Sequence, residues 1–345
     1  MTRLRLTTQS SIVVLLRFGS IMQRRSFFCS ALSLVLAAVA MQPALAQNFP
    51  SKPVRIVVPF GAGGVADLTA RTVAGRLAEQ IGQAVVIENR PGAGGIAAAE
   101  AVLKAEPDGH TLLLMSNGTA VSAGLFKSLP FDTLKDFAPV STLGYFDIAI
   151  VAPVDSRFKS LSEMLVFARA NPGKLNIGSI NIGSTQNLAA ELFKSSASID
   201  VQIVPFNGTP AVVTALRGGQ IDAAVEILGP IMSQVNARAL RVLAVTGDKR
   251  AAALPEVPTA RESGLTGFVA SSWNGLAAHA RTPRPLLDRW NREVVAALNH
   301  PDVRRRLSEL NVDAQSSSPE QASALLANEV KRWSEVIVRA RIPQQ

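Results

Sequence analysis

Cysteine and histidine are almost missing from this chain, and several kinds of chemistry go with them. One cysteine, Cys29, and three histidines, His110, His279 and His300, are spread over 345 residues. Cys29 lies inside a leader segment, so the chain beyond residue 46 has no thiol, no disulfide and no cysteine metal site. No two histidines share a metal-ligand spacing, and neither a metal nor a cofactor is expected. No G-x-S-x-G occurs, which removes the nucleophile elbow. Asp222 and Glu226 stand four residues apart without a further partner, so an acid–base carboxylate pair has no support. A binding protein, not an enzyme, is the expectation.

Positive charge is plentiful but badly placed for a nucleic-acid binder. Five basic residues and no acidic ones fall in residues 1–46, so the formal charge of +9 drops to +4 over the remaining 299 residues. No Lys/Arg cluster interleaved with aromatics follows, and Arg304, Arg305 and Arg306 read as a solvated helix face. Residues 22–46 have the parts of a secretory signal peptide: Arg24 and Arg25, an apolar run over 27–40, and Ala44-Leu45-Ala46 as the cleavage site before Gln47. The apolar run, about 14 residues, is short for a bilayer span. Arg24-Arg25-Ser26-Phe27-Phe28 also fits a twin-arginine signal. Residues 1–21 fit neither pattern, and Met22 makes the better start. The expected location is the periplasm.

Beyond the leader, apolar strands alternate with helical patterns. Strands are expected over 54–58, 84–87, 111–115, 147–152, 175–178, 201–205, 221–225 and 240–246. Helices are expected from residue 67, and over 96–105, 160–170, 187–195 and 211–217, with a helical C-terminal third at 285–298, 301–310 and 319–337. Such alternation predicts an α/β protein with mostly parallel sheets. Two stretches of similar rhythm predict two lobes with a ligand cleft between them.

The turn at Val54 to Asp67, "VRIVVPFGAGGVAD", leads from a strand into a helix. A turn of this kind leaves backbone N–H groups unpaired at the positive end of a helix dipole, where anions bind. Gly61-x-Gly63-x-x-Ala66 also matches the dinucleotide fingerprint, with Glu88 at the end of the next strand as a ribose-binding acid. An exported NAD(P)-binding oxidoreductase is therefore the alternative, and a turn that merely links strand and helix is the plainest reading.

The segments "PSKPVRIVVPFGAGGVAD", "VVIENRPGAGG", "PDGHTLLL", "LPFDTLKDFAPVS", "NPGKLNIGS", "AAELFK", "GGQIDA", "RVLAVTGDKRAAALPEVPT" and "SSWNGLAA" follow one another in register over residues 50–340. In this the chain resembles the substrate-binding receptors of tripartite tricarboxylate transporters, the TctC or Bug family. The resemblance implies a type II periplasmic-binding-protein fold, with lobe 1 at 47–147 plus 272–345 and lobe 2 at 148–271. It implies crossovers near 147–152 and 270–276. It also implies a small carboxylate as solute, a membrane permease or a sensor kinase as partner, and a monomer.

The family's binding loops map onto Phe60, Gly63, Gly64, Ala66 and Asp67; onto Ser116, Gly118 and Thr119; onto Gly183, Ser184 and Thr185; and onto Phe206, Asn207 and Gly208. Glu226 follows as an acid that either recognises an amine or hydroxyl of the solute or is a solvated strand end. The hydroxyls of Thr119, Ser184 and Thr185 serve equally as ligand donors or helix caps, and Asp67 is a loop latch rather than a ligand. Trp273 reads as hinge or core packing. Departures from the family, Ala66 for threonine, Phe206 for tyrosine and Asn207 for lysine, point to a less highly charged or more apolar solute.

Overall fold

A computed structural model describes residues 49–345; the leader, the export signal and the question of the start codon lie outside them. The first unit is β1 (Val54–Val58), α1 (Val65–Ile81) and β2 (Val85–Asn89). A 3-10 turn at Ala93–Gly95, α2 (Ile96–Leu103), β3 (Thr111–Ser116) and α3 (Asn117–Leu125) follow. The strand β4 (Phe137–Pro153) runs for 17 residues. Then come α4 (Leu161–Ala170), β5 (Asn176–Ile180), α5 (Thr185–Ala197), β6 (Gln202–Phe206), α6 (Thr209–Arg217), β7 (Ala223–Ile227), α7 (Leu228–Asn236) and β8 (Leu240–Val245). The chain closes with β9 (Ser271–His279), α8 (Arg284–Asn299), α9 (Pro301–Glu309), β10 (Val312–Asp313) and α10 (Pro319–Arg339).

The strands pair in the order β2-β1-β3-β9-β4-β7-β5-β6, with β8 and β10 added on β4. Each half holds a parallel triplet, β2-β1-β3 and β6-β5-β7, while β4 and β9 join them through antiparallel ladders. A strand of 17 residues is far longer than the usual five or six or so, because β4 serves both halves in turn. Asp147 is its last partner to β9, opposite Ser271, and Ile148 its first to β7, opposite Ile227. The return crossing is tied down at the same level. Thr246 donates its N–H to the Ile148 carbonyl at 2.9 Å and its hydroxyl to the Ala270 carbonyl at 2.6 Å.

Two cores follow from this division. In the first half, α1, α8 and α10 cover the sheet with Val73, Leu77, Trp290 and Trp333, all buried. The two indoles keep their N–H groups paired, Trp290 to the Gly109 carbonyl and Trp333 to the Asn117 side chain, each at 2.8 Å. That satisfies the polar cost of burying a large aromatic. In the second half Val151, Ile180, Val212, Leu216, Leu228 and Ile231 form one cluster. Among the described residues no helix is long and apolar enough to cross a membrane.

Candidate functional site

Five helices begin around one small space. Their N-caps are Gly64 for α1, Ser116 for α3, Ser184 for α5, Gly208 for α6 and Ile227 for α7. Residues from all five starts, Gly64 to Ala66, Ser116, Thr185 and Gln186, Gly208 and Thr209, and Ile227, line a narrow cavity. The first N–H groups of a helix have no intrahelical acceptor and carry the positive end of its dipole. An anion in the cavity meets several of these ends together. Gly64 and Gly208 offer no side-chain cap, while at the start of α7 the Ile227 N–H is already taken by the Glu226 carboxylate. Phe60, Gly61, Phe146, Ile180, Ser272 and Asn274 complete the wall, and no described Lys, Arg or His takes part in it.

The two halves of the sheet are closed over this space. The Gly94 N–H reaches the Ile182 carbonyl at 3.0 Å, the Ser122 hydroxyl the Gly183 carbonyl at 3.2 Å, and the Ser272 hydroxyl that of Thr185 at 3.1 Å. Gly61 lies so close to the Asn207 carbonyl that a Cβ on it would sit 2.2 Å from the oxygen. Only glycine permits that approach. Larger concavities exist: a groove between α5 and residues 340–345, and one beside Tyr145 to Asp147. Both are more open and lack the converging helix starts, so the narrow cavity is the candidate site.

Of the expected binding residues, Phe60, Gly64, Ala66, Ser116, Thr185 and Gly208 line this cavity. Gly118, Thr119, Gly183 and Ser184 line a second small space that shares Phe60 as a wall. Gly63, Asp67, Phe206, Asn207 and Glu226 line neither. Several hydroxyls are spent on capping. Ser116 accepts from the Gly118 N–H and Thr119 from the Ser116 N–H, and Ser184 accepts from the Asn187 N–H, at 3.0–3.1 Å. The segment 116–119, expected as a loop, is the first turn of α3.

Asp67 is buried and latches the glycine turn. Its carboxylate accepts from the Gly63 N–H at 3.0 Å, from Arg71 at 3.0 Å and from Asn89 at 2.9 Å. Burial opposes its ionisation, but those partners outweigh burial and hold its pKa below the usual carboxylate range. Phe206 packs against the core of the second half, and Asn207 is exposed.

Glu226 is not a solvated strand end, because it is fully buried. It sits behind the cavity wall, where one carboxylate oxygen accepts from the Thr209 hydroxyl at 3.1 Å and from the Ile227 N–H at 3.2 Å. The other oxygen, Oε1, has no partner among the described residues. Burial raises its pKa to about 7, although Thr209, the Ile227 N–H and the Gln186 side chain work the other way.

Gln186, Thr209, Ser272 and Asn274 are wall residues that motif reading missed. Ser272 and Asn274 had a visible signal: polar residues two apart in an otherwise apolar strand face the same side. The dinucleotide alternative gains nothing here, since Glu88 is held in ion pairs by Arg55 and Arg90.

The tripartite tricarboxylate transporter family receptor description matches residues 69–342. A UPF0065 protein of the tcbD-tcbE intergenic region of Pseudomonas sp. (strain P51) is 37% identical over 295 residues, 85% of this chain and 88% of that protein. The periplasmic binding protein BugD superposes with a TM-score of 0.83 at 29% identity, covering 86% of this chain and all of BugD. MatC from Rhodopseudomonas palustris, solved with bound malate, gives a TM-score of 0.79 at 34% identity, covering 84% of this chain and all of MatC. Matched along most of its length by these proteins, the chain belongs to the TctC/Bug family of periplasmic solute receptors.

Proposed function

We propose that the cavity captures one small organic carboxylate and holds it for uptake or sensing. The observation that carries this reading is the convergence of five helix N-termini on a closed space with no basic side chain in its wall. Helix-start N–H groups hold an anion without needing a basic side chain. Each hydrogen bond to a charged carboxylate contributes about 1.5–3 kcal/mol, so three or four support micromolar binding. The malate bound to MatC is a ligand of this chemistry.

The ligand enters an open form and is enclosed as β4 and the 246–271 crossing flex at the level of Ile148. The closed form then presents both halves in fixed relation to a membrane permease of the tripartite type or to a sensor kinase. Residues 22–46 supply the export signal that brings the chain to the periplasm.

Thermal unfolding of the purified protein against mono-, di- and tricarboxylates, amino acids and NAD(H) tests the reading. A ligand at 100 times its dissociation constant stabilises by about 2.7 kcal/mol. A shift with carboxylates and none with NAD(H) is expected. A shift with NAD(H) alone would overturn the reading.

A further inference from the structure

Asn274 is 1% exposed, lines the cavity, and leaves its amide nitrogen without a hydrogen-bond partner among the described residues. Its place in the sheet is fixed. It lies within β9, with Ser116 of β3 opposite on one side and Gly144 of β4 on the other, so ladders fix its backbone on both edges. Its neighbour on the same face, Ser272, already spends its hydroxyl on Thr185. Phe60, Phe146 and Ile180 in the same wall offer it no side-chain acceptor. A buried donor left unpaired in such a setting is costly.

Resting on the carboxylate-receptor reading, we propose that Asn274 selects the solute by donating a hydrogen bond to an oxygen other than those of its anchored carboxylate. The preferred ligand is therefore a short hydroxy- or oxo-acid, not the plain alkyl acid of the same length. The carboxylate occupies the helix starts, and the second oxygen meets the amide. A neutral oxygen suits the place because no cationic side chain stands in the wall to balance a further charge. A site built to hydrogen-bond a substrate oxygen rejects the analogue that lacks it, since its own buried group is then orphaned.

Calorimetric titration with matched pairs tests this: propanoate against lactate and pyruvate, butanoate against 3-hydroxybutanoate, and succinate against malate. In the wild-type protein the oxygen-bearing member of at least one pair is expected to bind about tenfold more tightly or better. Asn274→Leu is expected to bring that ratio to near one, largely by weakening the oxygenated member. Asn274→Asp keeps the shape and replaces the donor with a negative acceptor; it is expected to lose the oxygenated ligand even if Asn274→Leu fails to fold. Equal binding within every pair would overturn the inference and leave the receptor reading standing, as would a ratio unchanged in both variants; a water bound to Asn274 would give the first result. Binding by no carboxylate at all would remove the receptor reading and this inference together.

Discussion

Replacing Glu226 with glutamine should remove a stability cost that the wild-type protein carries at neutral and alkaline pH. The carboxyl is fully buried, no charged side chain is among the groups acting on it, and its pKa rises from 4.5 to about 7. A buried acid with a raised pKa binds its proton more tightly folded than unfolded. Below about pH 4.5 both states are protonated and Glu226 costs nothing. Between about 4.5 and 7 the unfolded chain releases the proton while the folded one keeps it, so stability falls as pH rises. Above about 7 the loss levels off. A tenfold change in proton affinity is worth about 1.4 kcal/mol, so the whole step is on the order of 3 kcal/mol. Glu226→Gln stays neutral, and its amide oxygen still accepts from Thr209 and the Ile227 N–H. Urea unfolding of both proteins at pH 5 and pH 8 isolates the effect, because every other titrating group is shared. The variant should gain about 2–3 kcal/mol on the wild type between the two pH values. A difference that does not change with pH would refute the reasoning.

The other consequences concern closure, the glycine turn and the core. Gly61→Ala places a Cβ 2.2 Å from the Asn207 carbonyl; carboxylate affinity by calorimetry should fall about tenfold or more while urea stability changes by less than about 1 kcal/mol. Asp67→Asn keeps the shape of the latch but loses its charge on Arg71 and the Gly63 N–H. It should cost about 1–3 kcal/mol at pH 7 and little below the folded pKa of Asp67, since the lowered pKa gives stability above about pH 4 that is lost on acidification. Trp333→Phe leaves the buried Asn117 side chain without the indole donor it has at 2.8 Å, and thermal unfolding should show a loss of about 1–3 kcal/mol.

The rhythm of the fold was legible because its cause is local. Apolar runs ended by glycine or asparagine and followed by helical periodicity predict strand–turn–helix units, and the observed helices begin within about two residues of expectation apart from α3 and α7, where no helix is expected. The length of β4 was not legible. Only its end, 147–152, reads as a strand, because Pro139, Ser141, Thr142 and Gly144 interrupt the first half. The structure absorbs them at register shifts between Pro139 and Ser141 and between Thr142 and Gly144, a bulge device that costs little and leaves no sequence period. β2 misleads in the other direction: its apolar run suggests burial, yet it is an edge strand with Val86 half exposed.

Resemblance marked loops that border the candidate cavity, but which of their groups face it was not legible, and the reason is competition for the same hydroxyls. Serine and threonine at a helix start can cap the helix or serve a ligand, and the sequence is the same either way. The structure narrows the choice by showing which hydroxyls already have partners. Ser116, Thr119 and Ser184 are committed to backbone N–H groups, and Thr209 to Glu226. In the proposed receptor the helix-start N–H groups recognise a carboxylate but cannot tell one carboxylate from another. Discrimination is proposed to come from a wall side chain with a donor left unpaired. Asn274 meets that condition from the middle of a strand, where its register on β9 turns it into the cavity and no local motif marks it.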